Sequence, residues 1–206
     1  AFISFKVTRH FAFVLESPVC KDEVAFQNIL KSFDEFCDEN GFINVYYRVS
    51  ESSLPSFHQM KKKSLPIGEE AIVDLNSFTI DGGKMKTTRS AINRLSAEGY
   101  SVQIHQPPIK EGLLQKLEQV SNNWITELNQ KEVAFTQGVF DPTILKEQTI
   151  ITVEDAEEKV YAFLNIVPDY APGEATYDLI RKVDDAPNGV LDMIIAKTLL
   201  YLKEQG

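Results

Sequence analysis

Two cysteines in 206 residues are too few for a disulfide scaffold, and Cys20 and Cys37 form no metal-ligand spacing. Reduced, partly buried thiols of a cytoplasmic protein fit them better. Long apolar runs are missing too, since none approaches the roughly 18–20 residues of a membrane span. The longest, LDMIIAKTLLYL, is broken by Asp192 and Lys197 and belongs to a packed core. No secretory leader is evident, because FKVTRHFAFVLE alternates like a strand and lacks a small-residue cleavage site. The chain opens on Ala1 with Phe2, Ile3 and Phe5 already in strand rhythm, as expected of a segment from a longer polypeptide. Positive charge is scarce as well. With 21 Lys and Arg against 30 Asp and Glu, the net charge of −9 argues against a surface coated for nucleic acid, though local basic patches can still contact phosphates. The three histidines, His10, His58 and His105, build no Ser-His-Asp arrangement.

What is present is ordinary globular material: 43% hydrophobic and 25% charged residues, enough to bury a real core. The chain is organised around Glu174–Ile194, which reads as a strand, a tight polar loop and the start of a helix. In ATYDLIRKV, Thr176, Asp178 and Ile180 alternate with Tyr177, Leu179 and Arg181, so the two sets point to opposite sheet faces. Asp184–Gly189 turns the chain, and Leu191, Ile194, Ile195, Thr198, Leu199 and Leu202 recur at helical spacing. Such a strand–loop–helix aims free backbone N–H groups at the space above the loop, a geometry that suits an anion or serves as a plain connection.

Taken in order, residues 2–16 predict a hairpin turning at Thr8–His10, and a helix follows from about Glu23 to Glu39 with Asn40–Gly41 as its C-cap. FINVYYRVS predicts a strand, and a short helix then ends in the basic run Lys61–Lys63, a solvated face or a phosphate contact. EEAIVDLNSF predicts another strand, followed by the loop TIDGGKMK, the helix TTRSAINRLSAEG and the strand YSVQIHQ. Pro107–Pro108 and Gly112 mark a boundary. Beyond it come a helix from Leu113 to about Leu128, a short helix near Pro142, and a hairpin turning at Asp155–Glu158.

Glu70-Ala71-x-x-Asp74-Leu75 recurs as Glu174-Ala175-x-x-Asp178-Leu179. Both copies precede a Gly-containing loop and a helix, which predicts duplication. The layout is that of the acetyltransferase-like (GNAT) fold used twice: an α/β (α+β) protein with mixed sheets flanked by helices. The expected units are 1–108 and 109–206, the second lacking its closing strand. A basic Arg/Gln-x-x-Gly-x-Gly/Ala loop would hold coenzyme A, and neither copy has one. Asp184–Val190 is acidic with a single glycine, and Asp81–Lys86 spaces Gly82–Gly83 wrongly. Coenzyme A binding is therefore not expected, and no other cofactor or metal motif stands out.

Five stretches carry a family resemblance: GEEAIVDL (68–75), KMKTTRSAINR (84–94), FTQGVFDPTIL (135–145), VYAFLNIVP (160–168) and YDLIRKVDDAPNGVLDMI (177–194). Together they resemble the C-terminal catalytic domain of phosphatidylglycerol lysyltransferases, the multiple peptide resistance factors. Thr136 and Ile180 stand where the family usually has Ser and Met. The resemblance implies two tandem acetyltransferase-like units with a tunnel at their junction. It also implies transfer of lysine, or another aminoacyl group, from charged tRNA to the glycerol hydroxyl of phosphatidylglycerol. The partners would be aminoacyl-tRNA and anionic phospholipid, at the inner face of the bacterial membrane within a larger protein.

For that reaction Asp178 is the candidate to orient the substrate amine or accept the hydroxyl proton, and Arg181 to hold the lipid phosphate. Three apart on a strand, they face opposite ways unless a bulge re-aims one. Both are expected in a cavity between the units, near the helix beginning around Val190. Lys86, Arg89 and Arg94 form a candidate phosphate strip on one helix face, or a solvated one. Glu70, Asn188 and Asp192 complete the substrate-binding candidates, with Asn188–Gly189 also shaping the loop. A second reading is a non-catalytic double acetyltransferase-like fold that binds cationic amines, which the acidic balance suits. A weaker third is an acyl-coenzyme A enzyme.

Overall fold

Asp22 starts the first long helix. Its backbone is extended and its side chain accepts a hydrogen bond from the Ala25 N–H at 2.8 Å, satisfying one of the donors a helix start leaves free. The helix, α1 (Glu23–Asn40), ends where Gly41 takes the left-handed conformation, φ 68°, that a side chain would oppose. Phe26, Leu30, Phe33 and Cys37 recur at helical spacing and are buried, while Val24 and Phe36 are exposed.

The computed structural model describes residues 1–128, 138–168 and 173–206. Contacts divide the chain into two units, Ala1–Ala71 and Ile72–Gly206. In the first, β1 (Phe5–Thr8) and β2 (Phe11–Leu15) form the expected antiparallel hairpin. After α1, β3 (Ile43–Tyr47) returns parallel to β2. Ala12 and Val14 of β2 pack on Phe33 and Cys37 of α1. The short helix α2 (Leu54–Gln59) adds Phe57, whose ring lies 4.8 Å from that of Tyr46. Burial pushes the Tyr46 hydroxyl above its ordinary range. Of the basic run, Lys62 bonds Asp34 at 2.8 Å and Asn44 at 3.1 Å, so its ammonium is committed within the unit.

The second unit begins with α3 (Lys86–Ala97) and continues through β4 (Ser101–His105), α4 (Glu111–Leu128), α5 (Pro142–Leu145), β5 (Thr149–Glu154), β6 (Val160–Val167), β7 (Thr176–Lys182) and α6 (Val190–Gln205). Its four strands lie in the order β4-β5-β6-β7, antiparallel throughout. Period-two alternation divides the apolar residues between two faces. Ile151, Val153, Ala162 and Leu164 meet Ile92 and Leu95 of α3 and Met193 and Ile194 of α6. Ile150, Phe163 and Leu179 meet Leu114, Leu117 and Val120 of α4 and Leu145 of α5.

Two expectations fail here. Residues 70–75 are not a strand, and Ile72 is 88% exposed. β-branched character favours a strand only where a sheet edge accepts its backbone, and this stretch pairs with none among the described residues. The Glu70/Glu174 echo therefore has no structural counterpart. The expected boundary at Pro107–Gly112 lies inside the second unit, because α3 and β4 share one core and one sheet with β5–β7 and α6. A different correspondence is present. β2 leads to α1 through residues 16–22 and β7 leads to α6 through residues 183–189, seven residues each, and both strands close an antiparallel hairpin.

Candidate active site on the bulged strand

The ladder between β6 and β7 pairs Leu164 with Ile180 and Ile166 with Tyr177. One residue of β6, Asn165, therefore stands opposite two of β7, Asp178 and Leu179, and the strand bulges there. The extra residue breaks the alternation. Ile180 packs toward α3 and α6, Leu179 belongs to the α4 face, and Asp178 joins Leu179 in lining one pocket on that face. The pocket, about 590 Å³ and open to solvent, is walled by Phe140, Pro142, Ile144 and Leu145, with Asp141, Gln148 and Asn165 as its other polar side chains. Asp141 caps α5 by accepting from the Thr143 N–H at 2.8 Å.

Asp178 is exposed, and its carboxylate lies against Gly138, where a side chain would overlap it. Arg181 lies behind, 3% exposed. Its guanidinium donates to the Ser121 hydroxyl and, at 3.3 Å, to the Gly138 carbonyl, and sits 5.1 Å from the Trp124 ring. It thus ties α4 and the Gly138 backbone to β7. Its planar fork is engaged inside the protein, which does not favour the expected hold on a lipid phosphate.

The remaining candidates lie elsewhere. The pocket is on the α4 face, whereas α6 and its start at Val190 lie on the other, so Asp178 is not beside that helix terminus. Arg89 donates to the carbonyls of Ile80 and Gly82 at 2.6 and 2.7 Å, and Arg94 to the Asn188 carbonyl and, at 3.1 Å, to Glu98. Both brace loops; they do not form an open phosphate strip. Gly189 packs closely on Ala91 with Asp192 beside it, at φ 86° where glycine is favoured. Lys86 is exposed at the start of α3. Glu70, in the first unit, is exposed and 3.7 Å from Arg48. Residues 135–137 of the FTQGVFD stretch lie outside the described residues.

Sequence reading missed Gly138, Asn165, Gln148 and Ser121. Gly138 and Asn165 lie in stretches that carry the resemblance, and Asn165 is also a polar amide among the apolar residues of a central strand, whereas Gln148 and Ser121 carried no local signal.

Residues 1–206 match the family described as phosphatidylglycerol lysyltransferase, C-terminal. The chain belongs to that family. Its relatives include a phosphatidylglycerol lysyltransferase of Bacillus subtilis (strain 168), 34% identical over 182 residues, covering 88% of this chain and 21% of the relative. Another, from Staphylococcus haemolyticus (strain JCSC1435), is 31% identical over 206 residues, covering 100% and 24%. Among solved structures, L-PGS from Bacillus licheniformis superimposes with a TM-score of 0.88 at 33% identity, covering 99% of this chain and 62% of that one. The chain thus spans less than a quarter of these lysyltransferases, which leaves most of each to segments outside this region. Like them in sequence and like L-PGS in fold, the chain carries Asp178, Leu179 and Arg181 on the bulged strand just described.

Proposed function

We propose that the second unit carries out aminoacyl transfer to phosphatidylglycerol, moving lysine or another aminoacyl group from charged tRNA. The carrying observation is Asp178, an exposed carboxylate set by a strand bulge into an open pocket, within the block that most specifically resembles the family. An aminoacyl ester is already activated, so the reaction needs positioning and a proton acceptor rather than a covalent nucleophile. The glycerol hydroxyl oxygen attacks the ester carbonyl carbon while Asp178 takes its proton. The bond to the ribose oxygen then breaks, and that oxygen leaves with the proton. Apolar walls with Asp141 suit an aliphatic chain ending in an ammonium group, which leaves Asp178 for the hydroxyl proton. Lys86 begins a helix that packs on the other face of the sheet, so it would meet only a phosphate outside the pocket, and Arg181 serves as a post behind the site.

The matched hairpin–loop–helix segments of the two units support a tandem acetyltransferase-like design. A tRNA donor places the reaction at the cytoplasmic face of the membrane, next to the anionic lipid. Among the described residues no helix is long and apolar enough to cross a bilayer, so contact with lipid would be at its surface. A second reading, binding of a cationic amine without transfer, is favoured by the two carboxylates in the pocket. Transfer of labelled lysine from charged tRNA to phosphatidylglycerol vesicles, by the intact protein, separates the two. Asp178→Asn keeps the shape and removes the charge, and should cost about 100- to 10,000-fold in kcat, the usual scale for a general base. An unchanged rate would remove Asp178 from the mechanism. No transfer by the wild type, with lysine or alanine, would favour amine binding.

A further inference from the structure

A bulge leaves a ladder group without its strand partner. In β7 the Leu179 N–H donates instead to the side chain of Asn165, reaching Oδ1 at 2.6 Å. Asn165 is only 2% exposed, and its other end is satisfied too, since Nδ2 donates to Gln148 Oε1 at 2.8 Å. Gln148 is itself 8% exposed, just past α5. A buried amide is tolerated when each end finds a partner, and here the oxygen finds a backbone donor at the bulge. Leucine at 165 would fill the space and leave that N–H unpaired inside the protein.

We infer that Asn165, braced by Gln148, is a positioning residue for Asp178. Its Oδ1 holds the extra residue of β7 in place, and so turns the Asp178 carboxylate into the pocket beside Leu179. In an unbulged strand Asp178 would share the face of Ile180, toward α6 and away from the pocket, because one residue of register reverses the facing of a side chain. The inference rests on the reading of Asp178 as the reacting carboxylate.

The test combines kinetics on the intact protein with hydrogen exchange. Asn165→Leu should lower kcat by about 10- to 100-fold, the scale of an ångström-level misplacement, and leave KM within about threefold. In an Asp178→Asn background the same change should cost nothing further, because its effect passes through that carboxylate. Losses that multiply in the double variant, or an unchanged kcat in Asn165→Leu, overturn the inference. Gln148→Met removes the brace and keeps the acceptor. Its expected fall is smaller, and it carries the same cycle should Asn165→Leu not fold. In the wild type the Leu179 amide should exchange slowly, and an amide exchanging as fast as an exposed loop overturns the inference whatever the kinetics. A wild type without transfer would sink the proposed function alone, and Leu179 exchange would still decide the bulge.

Discussion

The carboxylate of Asp178 occupies the space that a β-carbon on residue 138 would need, so Gly138 and Asp178 fit only as a pair. The two are 40 positions apart and come from different elements. Since the obstructing atoms are the end of a rotatable side chain, Gly138→Ala should move the carboxylate rather than unfold the protein. The expected result is a transfer rate lowered about 10- to 100-fold, as for misplaced reacting groups, with a midpoint of urea unfolding close to wild type. A wild-type rate would mean that the position of the carboxylate does not matter.

Arg181 should behave as a structural post. Arg181→Lys keeps the charge and loses the fork that reaches both Ser121 and Gly138. Hydrogen bonds to a charged group contribute about 1.5–3 kcal/mol each, so the variant should lose about 2–4 kcal/mol of stability in urea titrations. A variant of unchanged stability with a raised KM for lipid would restore the phosphate-binding role.

On the α4 face of the sheet, Glu154 is hydrogen-bonded by His105 at 3.2 Å and Thr152 at 2.6 Å. The His105 bond is the main reason its carboxyl titrates below the ordinary 4.5, with Thr152 adding to it and burial opposing. A carboxyl held low in the folded state stabilises it above the unfolded value, and that stability drains away as pH falls through the folded value. Wild type should therefore lose its advantage over Glu154→Gln as pH drops below about 4.5, read from urea midpoints between about pH 3 and 6. A difference independent of pH would show that the carboxylate form is not what the cluster favours.

Acetyl-coenzyme A should not bind. The loop 183–189 presents Asp184 and Asp185, the latter paired with Lys159 at 3.0 Å, and Arg94 is committed to the Asn188 carbonyl. Calorimetry should give no heat of binding at tens of micromolar ligand. A micromolar dissociation constant, about −8 kcal/mol, would contradict this.

Local signals were enough for much of the fold. Asp22 and Gly41 mark the ends of α1, and the predicted hairpins at Thr8–His10 and Asp155–Glu158 are both present. The block around Asp178 stands out for the same reason, as a strand, a turn and the start of a helix written within 21 residues. Where the reading failed, the deciding partner lay far away in the chain. EEAIVDL has the residues of a strand, but a strand needs an edge, and Ile72 remains in solvent.

By itself the sequence determined the caps, turns and periodicities that set most elements, the missing coenzyme A loop and the kinship with the lysyltransferases. All of these depend on neighbouring residues or on motif order. Only the tertiary structure decided which way Asp178 faces and what Arg181 bonds. Strand alternation puts them on opposite faces, and the bulge that overrules it is held by an amide 14 residues away from the Leu179 N–H it accepts. Arg181 reads as a free cation until Ser121, 60 positions earlier, and Gly138 fold around it. A hydrogen bond between distant residues leaves no period in the chain, so its geometry appears only once the sheet has closed.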